Sequence, residues 1–90
     1  MNEQRILEEL AALLEANGVI IRNEPLGGSG GGLCTIKGEQ ILFLDTQASS
    51  ADSAAICAET VSKLLDIEKF YIKPEVRQFI ENQSNIQEEY

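Results

Sequence analysis

Ninety residues make one small domain with room for a single modest core. Apolar residues are 43% of the chain and charged residues 24%, the mix of an ordinary globular domain. A net charge of −8 argues against a general phosphate-neutralising surface, and the absence of histidine excludes Ser-His-Asp and Cys-His mechanisms and every His-ligated metal site.

The first predicted element is a helix from about Asn2 to Ala16. Ile6, Leu7, Leu10, Leu13 and Leu14 form one stripe at helical spacing, and Glu8, Glu9 and Glu15 take the other side. Asn17-Gly18 is a stop signal. A β-branched run, Val19 to Asn23, predicts a strand that ends before Pro25. Gly27-Gly28-Ser29-Gly30-Gly31-Gly32 follows, with little helix or strand stability of its own. Strands are expected at Leu33–Lys37 and Gln40–Asp45, joined through Lys37-Gly38-Glu39 as a tight hairpin. Ile41-Leu42-Phe43-Leu44 is apolar at every position, so both faces of that strand should be covered. A second helix runs from about Ser50 to Asp66, capped by Ser49 or Ser50, with Ala54, Cys57, Ala58, Val61, Leu64 and Leu65 inward. An apolar link, Phe70-Tyr71-Ile72, leads to Pro74, the first turn of a third helix through about Asn82. Val76, Phe79 and Ile80 face inward there.

The order α-β-β-β-α-α predicts an α+β fold, a small antiparallel sheet of about three strands packed with helices. It forms one domain over residues 1–83, with a frayed acidic tail at 84–90. The start of the chain lacks the basic residues and unbroken apolar run of a secretory signal. No segment approaches the roughly 20 apolar residues of a membrane span, so a cytoplasmic location is expected.

The glycine run is the most conspicuous motif. Gly27 and Gly32 have phosphate-loop spacing, but Leu33-Cys34 stands where Lys-Ser is required, and a strand follows where an anion-binding helix should begin. It reads as a connector first. Its second reading is a loop formed by Gly28, Ser29, Gly30 and Gly31 that orders on a ligand or partner. The carboxylates are scattered over helical faces, except Asp45 at the end of an apolar strand and Glu59 beside an Ala-rich helical stripe. Those two are placed where a cleft could form. Cys34 and Cys57 make neither a zinc site nor a redox pair, and both read as small core hydrophobes.

The segment from about Ile6 to Leu65 resembles the minimal scaffold of ImmA/IrrE-type metallopeptidases: helix, strand, a hairpin ending in an Ile-Leu-Phe-Leu-Asp strand, a polar turn, then a core helix. That family carries H-E-x-x-H on the core helix. The matching residues here are Ala58-Glu59-Thr60-Val61-Ser62, so Glu59 matches the general base while Ala58 and Ser62 replace the two zinc-binding histidines. The resemblance implies a scaffold without its zinc chemistry, with Asp45 and Glu59 lining a vestigial cleft. The chain also resembles a group of small bacterial proteins with a Gly-Gly-Leu-Cys strand start before an Ile-Leu-Phe-Leu-Asp strand, which implies no activity.

The expected function is a non-enzymatic cytoplasmic interaction or assembly module, homodimeric, with no metal and no cofactor. A further protein partner is expected; nucleic acid and membrane are not. The alternatives are the degenerate metallopeptidase-like protein and a small-ligand or anion binder using the Gly27–Gly32 loop. Self-association is expected because the strands put apolar groups on both faces and three helices of this length cover one face well. In the competing monomeric arrangement, the first two helices take opposite faces of the sheet.

Overall fold

The computed structural model describes residues 2–28 and 31–87, with residues 84–87 as backbone only. Ser29, Gly30 and the end of the acidic tail, residues 88–90, lie outside the described residues.

Helix α1 spans Glu3–Ala16. Asn2 caps it, its side-chain oxygen accepting the Arg5 amide at 2.9 Å. Ile6, Leu10 and Leu14 form the buried stripe, flanked by half-buried Leu7 and Leu13. The helix stops at a reversal in which the Val19 amide donates to the Leu14 carbonyl and the Gly18 amide to the Glu15 carbonyl, both at 3.1 Å. Val19 and Leu14, joined by that backbone bond, both lie in the buried core.

Three strands follow: β1 (Ile20–Glu24), β2 (Gly31–Ile36) and β3 (Glu39–Asp45), in spatial order β1-β3-β2. Lys37 and Gly38 form the two-residue hairpin turn, both with positive φ, 52° and 82°. That is the geometry whose twist matches the flanking strands. Lys37 adopts the less favoured left-handed backbone to keep Ile36 opposite Glu39.

The sheet is mixed, which corrects the antiparallel expectation. β2 pairs antiparallel with β3, but β1 pairs parallel with it, Ile20 opposite Ile41 and Glu24 opposite Asp45. The reason is placement. β3 is apolar at four consecutive positions and takes the centre, while Arg22, Asn23 and Glu24 suit β1 to an edge. The chain reverses once between β1 and β2 and again at the hairpin, so β1 and β3 point the same way. The stretch after Glu24 therefore passes over the end of β3, where the Leu26 and Gly28 amides meet Asp45, and β1 and β2 are not neighbours. β2 also starts two residues earlier than expected and takes Gly31 and Gly32 from the glycine run.

Helix α2 spans Ser50–Leu64, its cap Ser49 accepting the Asp52 amide at 3.1 Å. Ala54, Cys57, Ala58 and Val61 are buried, as are Ser53 and Thr60; the Thr60 hydroxyl donates to the Ile56 carbonyl at 2.8 Å. A 3₁₀ turn at Ile67–Lys69 begins the link to helix α3, Pro74–Gln87. Val76 and Ile80 are buried, with Phe79 packed beside them. α3 passes the expected end at Asn82, so the segment expected to fray from Ser84 is helical through Gln87. No glycine or proline interrupts Ser84-Asn85-Ile86-Gln87.

The stripes of all three helices meet Leu42, Leu44 and Val19 in one core. α1 and α2 thus share a face of the sheet, and the arrangement with the two on opposite faces does not occur. Among the described residues, no helix is long and apolar enough to cross a membrane.

Candidate functional site

Adjacent strand residues point to opposite faces, and residues paired across strands share one. Leu42 and Leu44 face the helices with Ile21 and Leu33 beside them. The opposite, outer face carries Ile20, Arg22 and Glu24 on β1, Glu39, Ile41, Phe43 and Asp45 on β3, and Gly32, Cys34 and Ile36 on β2. No described helix covers it. Ile20 is 40% and Ile36 47% exposed, and Ile41 and Phe43 are half-buried. This corrects the expectation that both faces of β3 are covered. Cys34 belongs to this exposed row, which corrects its reading as a core residue. Its strand position decided this: Cys34 alternates with inward Leu33. Cys57 does lie in the core, where burial pushes its thiol up to about 12 and keeps it protonated.

One corner of the outer face is covered, by the chain itself. Asp45 is only 3% exposed. Its Oδ1 accepts the Leu26 amide at 3.1 Å and the Gln47 amide at 2.9 Å, and its Oδ2 accepts the Gly28 amide at 2.6 Å. The carboxylate thereby holds the Pro25–Gly28 stretch over the end of β3. The structure thus brings together two residues singled out separately, Asp45 and Gly28. It also gives the loop amides an acceptor from their own chain. The local signal was the Asp45-Thr46-Gln47 turn, in which an aspartate accepts the amide two residues on.

Gly31 stands in β2 opposite Leu44, with φ +94°. A Cβ there would sit 2.0 Å from the Phe43 carbonyl oxygen, so the strand approaches β3 more closely than any side chain allows. Gly32, its neighbour, meets nothing within 4 Å. Beside these two lies an apolar hollow of about 410 Å³, lined by Leu26, Gly31, Gly32, Leu33, Cys34 and Phe43.

Glu59 lies on the exposed flank of α2, paired with Lys63 at 3.3 Å. Ala58 is buried and Ser62 exposed, so the two positions that match the histidines of the metallopeptidase motif differ in environment. Among the described residues no group of three or more Cys, Asp or Glu side chains could hold a metal ion. A second hollow, about 270 Å³, lies between α1 and the link, lined by Glu9, Leu13, Tyr71, Ile72, Lys73 and Val76. There the Lys73 ammonium, 3.0 Å from Glu9, holds that carboxyl below its usual range, and Arg5 at 3.3 Å adds to the effect. Comparison with protein-family profiles, with curated proteins and with solved structures finds no match for the chain.

Proposed function

We propose that the protein is a non-enzymatic, self-associating assembly module of the cytoplasm that dimerises through its sheet. The observation that carries this reading is the one-sided packing. Three helices cover one face, and the other presents Ile20, Cys34, Ile36, Ile41 and Phe43 together. Contiguous apolar surface of that kind is characteristic of interfaces, and two-fold dimers are the commonest assembly. The uncharged β2 edge adds no local repulsion between two copies, despite the net −8 of the chain. On the outer face Arg22 is paired with Glu24 at 3.0 Å, and no residue of β2 is charged. Two copies meeting at the β2 edge therefore bring no β2 charge together, and Glu39, opposite Ile36 at the hairpin end, is exposed.

Sedimentation equilibrium of the unmodified chain across micromolar concentrations tests the reading. The expected result is a concentration-dependent species of twice the 9.9 kDa chain mass. A single species of 9.9 kDa throughout overturns it.

A further inference from the structure

The two edges of the sheet differ. β1 carries Arg22 and Glu24, the kind of charged residue that keeps an exposed edge from pairing with another chain. β2 reads Gly31-Gly32-Leu33-Cys34-Thr35-Ile36, with neither charge nor proline. One side of β2 is bonded to β3 along its full length; among the described residues no strand pairs with the other. Such an edge is a ready template for a further strand.

The relief of β2 makes the template specific. On its outer face Gly32 is a gap beside Phe43, and the hollow lined by Leu26, Gly31, Gly32, Leu33, Cys34 and Phe43 lies against it. Ile36 lies four residues along the same face and is 47% exposed. A knob and a matching hole thus lie on one short strand.

We propose that two copies pair β2 with β2, antiparallel about a two-fold axis at Cys34, into a continuous six-stranded sheet. This rests on the self-association reading and specifies it. Residues directly opposite in an antiparallel pair share a face. Both outer faces stay on the same side only if the axis passes through a residue position, and the two near the middle of β2 are Leu33 and Cys34. An axis at Leu33 sets Cys34 opposite the partner's Gly32 and leaves Ile36 beyond the end of β2 pairing. An axis at Cys34 sets Ile36 opposite the partner's Gly32, so each copy fills the other's hollow and covers its Phe43. Leu33 then stands opposite the partner's Thr35, on the helix side. The uncharged edge, the gap and the knob are satisfied together by that register alone.

The register has a direct readout, because it places two Cys34 residues opposite each other. Opposed residues have Cα atoms about 4.5–5.5 Å apart, within the span a disulfide bridges. Cys57 is buried and does not compete. The experiment oxidises the full chain with diamide and maps the linked peptides by mass spectrometry. Most chains should become Cys34–Cys34 dimers, and Ile36→Lys should slow the linkage at least tenfold at equal concentration. In sedimentation, Ile36→Lys should weaken the dimer at least tenfold, while Ile20→Lys, on the opposite edge of the same face, should leave it unchanged. A sedimenting dimer that forms no Cys34 linkage, or that Ile20→Lys breaks as readily as Ile36→Lys, overturns edge pairing and leaves self-association through the open face. A chain that sediments as a monomer overturns both.

Discussion

Ile41 and Leu42 are neighbours on the same strand and nearly the same in chemistry, yet they live in different environments. Leu42 is fully buried under the three helices. Ile41 looks out from the opposite face, half-buried among Ile20, Cys34 and Phe43. Nothing intrinsic to the Ile41-Leu42-Phe43-Leu44 run separates the two faces, since it is apolar on both. The helices separate them: the stripes on α1, α2 and α3 merge into a single core on one side. A small chain has helical surface enough to cover one face well, and an apolar second face is then available for contact between molecules.

Truncating each of the two residues in turn tests the difference between the faces. Leu42→Ala leaves a cavity in the packed core and should cost about 3–5 kcal/mol. Ile41→Ala, with open surface beside it, should cost about 1 kcal/mol when measured below the concentration at which chains associate. Urea denaturation read by circular dichroism supplies both values. Equal losses would mean that the outer face is packed as tightly as the inner one, and the account of the two faces would fail.

Much of this division could be read from the residues. The helical stripes, the Asn17-Gly18 stop, the Ser49 cap, the hairpin turn and the apolar residues on both sides of the strands all follow from local spacing, because a helix or tight turn is specified within a few residues. The parallel pairing of β1 with β3 was not legible. It depends on which strand takes the centre, a competition among three segments that no one of them encodes. Cys34 departs from the usual burial of free cysteine because its alternation with inward Leu33 sets its direction. At the candidate site, Gly28, Gly31 and Asp45 each stood out, but their relation did not. Gly31 looked like part of a connector, whereas its missing side chain serves a strand crossing too close to the Phe43 carbonyl.

Gly31 and Gly32, neighbours on β2, differ in the same way. Gly31→Ala places a methyl group where only 2.0 Å separates it from a backbone oxygen, at a φ that L-residues avoid. It should cost about 2–4 kcal/mol, since the strain cannot be relieved by moving a flexible side chain. Gly32→Ala meets open space with an ordinary φ and should change monomer stability by no more than about 0.5 kcal/mol. Its added methyl enters the hollow that the partner's Ile36 would fill, so its effect should appear in association instead. Thermal unfolding of the two variants, side by side, separates these cases. A Gly31→Ala protein as stable as Gly32→Ala would show that the close approach of β2 to β3 relaxes freely.

A smaller effect than that of Leu42→Ala or Gly31→Ala is expected at the one corner where the outer face is covered. Asp45 is positioned by strand parity with Ile41 and Phe43, yet it is buried, because the Pro25–Gly28 stretch folds over it and donates two amides to its carboxylate. Asp45→Asn keeps the shape and one acceptor oxygen. That oxygen can still take the Leu26 and Gln47 amides, but the new NH₂ group then faces the Gly28 amide, donor against donor. The loss of one charge-assisted hydrogen bond should cost about 1–2 kcal/mol. Hydrogen exchange should report it locally, with Leu26 and Gly28 amides exchanging faster and Leu42 and Leu44 amides speeding only as far as the lost global stability dictates. Unchanged exchange at Leu26 and Gly28 would show that the loop is held by its own backbone. The corner would then owe its cover to the crossing of β3, and Asp45 would be a passenger buried by it.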